Sequence, residues 1–306
     1  MHTTARICIP PDNLADFVVE IMPLFEVLYG PAAAAFYHRA AVSGISKSIA
    51  SSEVRAYGCM VGNNAAGMLF VHTAGDRNVI NLLHVLLLYR GLGLEEELLD
   101  FVLRDLGDGT GAVFTEFIPY YPMALDGAFN RHGFAKVERQ IMHRQPWKSD
   151  PQVPDGFSLR MADEHAVPDL AEVLVEAYAD HRERFLFPEV QTLDSAQAYL
   201  KRAQSGAFGL YQSKFCMGAW RDERCAGFII GSQVLPGLGF TLHLAVRTNA
   251  RNRGLGQALL GALATAFADE GLDYIALGVT CDNPAVFLYQ RAGFDCVAQV
   301  PAYHRP

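Results

Sequence analysis

The stretch Leu244-Ala245-Val246, then Arg251-Asn252-Arg253-Gly254-Leu255-Gly256, then Gln257-Ala258-Leu259-Leu260 constrains the fold of this chain more than any other. It reads as an apolar strand, a basic glycine-bearing turn and the start of an amphipathic helix. Leu255, Leu259, Leu260, Leu263 and Phe267 recur at helical spacing, which docks one face of that helix on a sheet and fixes where its first turn points. A helix start offers N–H groups with no intrahelical acceptor and the positive end of the macrodipole. Glycine lets the backbone close on an anion without a Cβ in the way. Together these are the parts of a phosphate cradle. The pattern is not a dinucleotide fingerprint, which needs Gly or Ala where Leu259 stands, nor a P-loop, which needs Gly-Lys-Ser/Thr. Taken alone, it is equally an ordinary strand-turn-helix with surface arginines.

A second stretch separates the two readings. After the apolar run from Tyr274 to Val279 comes Asn283-Pro284-Ala285-Val286-Phe287-Leu288-Tyr289-Gln290-Arg291-Ala292-Gly293-Phe294. The two stretches in this order resemble the GNAT superfamily of N-acetyltransferases. Arg251, Gly254 and Gly256 fill its Arg/Gln-x-x-Gly-x-Gly/Ala motif, and Asn283, Leu288, Tyr289, Gly293 and Phe294 fill the next. The gap from Asn283 to Tyr289 is one residue shorter than the family's commonest spacing.

An internal repeat predicts two copies of such a domain. Arg90-Gly91-Leu92-Gly93 matches Arg253-Gly254-Leu255-Gly256 at an offset of 163, and His132-Gly133-Phe134 matches Ala292-Gly293-Phe294 at 160. The fold class implied is α/β (α+β): two tandem GNAT-like domains, each a mixed, mostly antiparallel sheet flanked by helices. Residues 1–145 form a degenerate first domain, the Pro-rich polar segment 146–156 is the linker, and 157–306 form the catalytic domain. In the first copy this alignment puts Leu88 at the Arg251 position, Phe129 at Tyr289 and Met123 at Asn283. Glu95, Glu96 and Glu97, close behind Gly93, suit an empty helix start and repel a pyrophosphate. The first domain is therefore expected to be noncatalytic.

Composition closes off other classes. The net charge of −8 is shared evenly by the halves, so there is no basic footprint for a nucleic acid. The six cysteines at 8, 59, 216, 225, 281 and 296 form no CxxC pair, which fits free thiols without a metal or disulfide. The longest apolar run, Val79 to Tyr89, is too short to span a bilayer. A cytoplasmic location without membrane attachment is the expectation. A homodimer is compatible with the sequence, but no feature specifies one.

The resemblance implies roles for particular residues. Acetyl-CoA is the co-substrate: backbone groups of Leu244, Ala245 and Val246 hold its pantetheine arm and polarise the thioester carbonyl. The turn Arg251, Asn252, Arg253, Gly254, Leu255, Gly256, Gln257 takes the pyrophosphate, and Asn283 and Tyr289 complete the cofactor site. Tyr289 is the counterpart of the family's general acid for the departing thiolate. A packing aromatic is the other reading of that residue. His243, on the strand, is a candidate general base, or else a satisfied core histidine. In residues 178–189, His181, Glu183, Phe185 and Glu189 are candidates to seat a small-molecule amine, unless this stretch is only a solvated helix end. The sequence thus supports an acetyl-CoA-dependent N-acetyltransferase and, as the alternative, a noncatalytic acyl-CoA-binding or regulatory module.

Overall fold

The computed structural model describes residues 2–52, 54–74, 77–107, 112–115, 125–181 and 183–305. The elements begin β1 (Thr3–Ile7), α1 (Leu14–Tyr29), α2 (Pro31–Ala50), β2 (Arg55–Val61), β3 (Asn64–Ala74), β4 (Arg77–Val85), α3 (Leu94–Leu106), β5 (Val113–Thr115), α4 (Asp126–Arg131) and β6 (Ala135–Val137). They continue β7 (Arg139–Arg144), β8 (Ser158–Met161), α5 (Val167–Tyr178), α6 (Leu193–Gln204), β9 (Cys216–Arg221), β10 (Arg224–Leu235) and β11 (Leu238–Val246). The chain closes with α7 (Leu255–Asp269), β12 (Tyr274–Thr280), α8 (Ala285–Arg291), β13 (Asp295–Gln299) and β14 (Ala302–Arg305).

Two seven-stranded sheets result, ordered β1-β2-β3-β4-β5-β14-β6 and β13-β7-β12-β11-β10-β9-β8. Their strands pair antiparallel wherever register is defined, except for β4 with β5 and β11 with β12, which run parallel. This is the mixed, mostly antiparallel α/β architecture expected from the sequence. In the second sheet, Cys225 through Ser232 of β10 are all buried. Phe228 and Ile230 join the core under α5 and α6, and Ile229 joins the core under α7. A strand covered on both faces has no polar side, and its sequence is accordingly a continuous apolar run.

The chain divides into one compact unit of residues 1–27, 34–139 and 299–306 and another of residues 28–33 and 140–298. This differs at both ends from a division around 146–156. Strand β7, from the first half of the sequence, lies between β13 and β12, while β14, from the extreme second half, lies between β5 and β6. Segment 146–156 is no free spacer. Trp147 packs into the core of the second unit beneath the Arg144 guanidinium, 3.9 Å from the ring centre, and the Ser149 N–H donates to Thr265 Oγ1 of α7 at 2.9 Å. Pro and polar content marked a segment without helix or strand, but its one tryptophan anchors it.

Both sheets carry the same local break. On β11, Leu242 is an extra residue in the ladder with β10, since Ile230 faces His243 while Gly231 faces Thr241. On β4, Asn81 is the extra residue, between the pairs Phe70–Leu82 and Val71–Ile80. Parallel pairing stops just before each bulge: β11 meets β12 at Leu238 to Phe240, and β4 meets β5 at Asn78 to Ile80. A bulge sharpens the local twist and ends pairing. From Thr241 onward, β11 therefore has a backbone edge on its β12 side with no ladder partner among the described residues.

Candidate acyl-transfer site

The unpaired edge of β11 leads directly to the helix start anticipated from sequence. A single 3₁₀ turn, Thr248–Ala250, follows the strand, Asn252 and Gly254 take positive φ of 60° and 90°, and Gly254 caps α7. The first helical bond runs from the Ala258 N–H to the Gly254 carbonyl. The N–H groups of Leu255, Gly256 and Gln257 consequently emerge from the helix end without a carbonyl acceptor. A Cβ on Gly256 would stand 3.2 Å from Leu288 Cδ2, so this glycine lets α8 pack closely on the mouth of α7. An anion cradle at the end of an open strand edge suits a pantetheine-linked diphosphate.

Two arginines hold this geometry. Buried Arg247 donates from Nε to the Cys225 carbonyl at 2.8 Å and from its terminal nitrogens to Glu172 and Glu176 of α5. Arg251 donates from Nε to the Val246 carbonyl at 3.1 Å and from Nη2 to the Ala177 carbonyl at 2.9 Å. Its planar fork thus straps the turn to the ends of β11 and α5. The guanidinium fixes the turn through these bonds, and its charge stays beside the helix start.

Strand alternation sends His243 and Ala245 toward α5 and α6 and Leu244 and Val246 toward α7. His243 is 5% exposed, with Nε2 3.1 Å from Glu189 Oε1 and Nδ1 3.4 Å from the Tyr178 hydroxyl. The rings of Tyr178, Phe187 and Tyr199 stand edge-on to its imidazole at 5.8, 6.2 and 5.1 Å. A carboxylate on one ring nitrogen fixes the tautomer and leaves the other nitrogen as acceptor. Sequence reading missed Tyr199. Its signal was the helical spacing of Ala196, Tyr199, Leu200 and Ala203, which reads as plain core.

The remaining candidates form a second group. Glu183 Oε1 accepts from Asn283 Nδ2 at 2.8 Å and lies 3.4 Å from His181 Nδ1. Asn283 Oδ1 in turn accepts from the Ala285 N–H at 2.9 Å, starting α8. Asn283 thus ties the Glu183 turn to the start of α8. Tyr289 projects from α8, 7% exposed, with Phe294 edge-on at 5.9 Å. Burial, and then the nearby Glu183 charge, push its phenol well above the usual tyrosine range, so it stays protonated across the physiological range. Phe185 sits in the 3₁₀ turn Arg184–Leu186 and is half-buried. Among the described residues, no group of three or more His, Cys, Asp or Glu side chains is placed to hold a metal, and no helix is long and apolar enough to cross a membrane.

The first unit repeats the cradle in a different register from the one read by sequence. There the 3₁₀ turn is Leu87–Tyr89, Arg90 Nε donates to the Val85 carbonyl at 3.1 Å, and Gly93 caps α3 with φ 75°. The matching offset is 161, so Arg90, and not Leu88, is the counterpart of Arg251, and Gly93 matches Gly254. Glu95, only 3% exposed, then occupies the place of Gly256. Phe129 is confirmed as the counterpart of Tyr289, since Phe134 N–H donates to Phe129 O as Phe294 N–H does to Tyr289 O, each at 3.0 Å. Met123 lies outside the described residues.

Comparison with known proteins agrees with the second unit's geometry. Residues 174–294 match the model of the acetyltransferase (GNAT) family. Similar solved structures include a GCN5-related N-acetyltransferase from Sphaerobacter thermophilus, with 18% identity, TM-score 0.73, and coverage of 99% of this chain and 95% of that one. A tandem GNAT protein from the clavulanic acid biosynthesis pathway aligns with 14% identity and TM-score 0.62 over 100% and 98% of the two chains. A GNAT-family acetyltransferase from Colwellia psychrerythraea aligns with 12% identity and TM-score 0.55 over 99% and 100%. At these identities the structures establish a shared fold. No curated protein matches the chain in sequence.

Proposed function

We propose, on the premise that residues 174–294 are a GNAT acetyltransferase domain, that this chain is an acetyl-CoA-dependent N-acetyltransferase acting on a small amine by direct attack. The observation that carries the reading is the juxtaposition of the unpaired β11 edge with the glycine-capped start of α7. Backbone groups of Leu244, Ala245 and Val246 would pair with pantetheine as an added strand does, and one N–H would polarise the thioester carbonyl. The amides from Asn252 to Gln257, with the Arg253 charge beside them, would take the pyrophosphate. The neutral amine nitrogen forms the C–N bond, the C–S bond breaks, and the thiolate takes a proton from the Tyr289 hydroxyl.

Buried His243, oriented by Glu189, is the candidate for relaying the amine's proton outward, through the Tyr178 hydroxyl beside Nδ1. The competing reading is a noncatalytic acyl-CoA module in which Tyr289 only packs. Release of free CoA thiol from acetyl-CoA across a panel of small amines decides between them. Amine-dependent release supports the enzyme; tight acetyl-CoA binding with no release for any amine favours the module.

A further inference from the structure

The helix that carries Tyr289 does not hold its own place. At seven residues, α8 is too short to be stable by itself, so its orientation is set by what it touches. Its start is fixed by Asn283, whose Oδ1 accepts from the Ala285 N–H. At its end, the N–H groups of Ala292, Gly293 and Phe294 close back on the carbonyls of Leu288, Gln290 and Tyr289. The Ala292 carbonyl, at the negative end of the helix dipole, accepts from Arg144 Nη1. Arg144 is the last residue of β7, which lies in the sheet between β13 and β12. Its guanidinium covers the Trp147 ring, Trp147 stands edge-on to Phe294 at 6.2 Å, and Phe294 stands edge-on to Tyr289. A Cβ on Gly293 would stand 3.0 Å from Arg144 Nη1, so this glycine serves the contact as well as its φ of 83°.

Two contacts, one polar and one aromatic, thus run from the end of β7 to the helix that bears the phenol. Both Arg144 and Trp147 precede the segment matched by the family model, residues 174–294. The first unit offers a comparison. At the offset of 161, Arg305 of β14 is the counterpart of Arg144, and its guanidinium lies over the Phe134 ring, 5.4 Å from the centre. There a Cβ on Gly133 would meet no described atom within 4 Å, and the helix carries Phe129 in place of Tyr289. The close hold on the glycine turn is found where there is a hydroxyl to place. A hydroxyl at the far end of a ring magnifies any tilt of its helix, and a misplacement of about 1 Å can lower a rate by roughly 10²-fold. We infer that Arg144 and Trp147 are positioning residues that fix the tilt of α8 and so the place of the Tyr289 hydroxyl; this rests on the acetyltransferase reading above.

The test combines amide exchange and kinetics on the full-length protein. Arg144→Met keeps a long stem against Trp147 and removes the donor. It should speed exchange of the amides of residues 288–294 about 10-fold, as loss of one charge-assisted hydrogen bond predicts, while amides of β10 keep their protection. With saturating acetyl-CoA and the fastest acceptor among benzylamine, n-butylamine and spermidine, kcat should fall roughly 10- to 100-fold, and KM for acetyl-CoA should stay within about threefold. The decisive measurement repeats this in Tyr289→Phe. With no hydroxyl left to place, Arg144→Met should lower kcat by less than about twofold further. Trp147→Leu should give the same pair of results, and it carries the test if Arg144→Met does not fold. Equal losses of kcat with and without the hydroxyl overturn the inference, because they mark general support of the fold. Unchanged exchange at residues 288–294 in a folded variant overturns it as well. Absence of CoA release with every amine would sink the enzyme reading alone, and exchange would still decide whether Arg144 and Trp147 hold α8.

Discussion

At the scale of single residues, the two positions that decide the reading are Tyr289 and Gly256. Tyr289→Phe retains the ring that packs on Phe294 and removes only the hydroxyl. Loss of a positioned acid lowers rates by roughly 10²–10⁴, so kcat should fall by that order while acetyl-CoA affinity, measured by calorimetry, barely moves. Unchanged kcat with a good amine would show that the hydroxyl is not the acid. Gly256→Asp tests the cradle more sharply, because an acidic residue in the first turn suits the helix itself. The new Cβ presses on Leu288, so the melting temperature should fall by a few degrees, while CoA binding disappears because a negative charge now stands at the helix start where the diphosphate must approach. The other unit already carries this experiment in Glu95. Residue identity was legible wherever a motif demanded it, as at Gly254, Gly256 and Tyr289. The partnership of Glu183 with Asn283 was not: it joins residues 100 apart in sequence, and no local period encodes it.

At the scale of elements, the strand, turn and helix around residues 238–269 could be read from apolar spacing and glycine. The register of the internal repeat could not. Two Arg-Gly-Leu-Gly strings align perfectly as letters, yet backbone geometry places Gly93 against Gly254, because what the fold repeats is a positive-φ cap after a 3₁₀ turn and not a string. Strand β14 was invisible for a related reason: four residues carry no period, and their place is set by a distant ladder. Ala302 and Tyr303 are buried, the Tyr303 N–H donates to Thr115 Oγ1 at 2.8 Å, its hydroxyl donates to Asp126, and its ring stacks on Phe129 at 4.1 Å. Deleting residues 299–306 should therefore lower the melting temperature and open amide exchange in β5 and β6. Exchange in β10 and β11 should change far less. Uniform loss of protection across both sheets would contradict this assignment.

For the whole molecule, duplication has produced two sheets of the same plan with unequal chemistry. One retains an uncharged cradle and a phenol; the other has a buried glutamate and a phenylalanine at those places. Calorimetric titration with CoA should accordingly give one site per chain. A stoichiometry of two equivalent sites would refute the assignment of the first unit as a nonbinding copy. The two-domain plan was visible in sequence because a repeat leaves a trace in both copies. The exchange of strands between the halves was hidden, because a boundary argument from composition assumes that each sheet is built from one continuous stretch.

That trade of strands has a consequence for synthesis. As the chain leaves the ribosome, the first sheet has β5 and β6 but lacks the strand that lies between them, which is made after every other described strand. Until residues 302–305 emerge, the edges flanking that gap present unpaired backbone to any neighbouring chain. The second sheet faces no such wait for its borrowed strand, since β7 is made before the strands it joins. The sheet of the N-terminal half, though translated first, thus closes after the second sheet, and a nascent chain stalled before residue 302 would hold the complete β11–α7 turn while the first sheet still lacks β14.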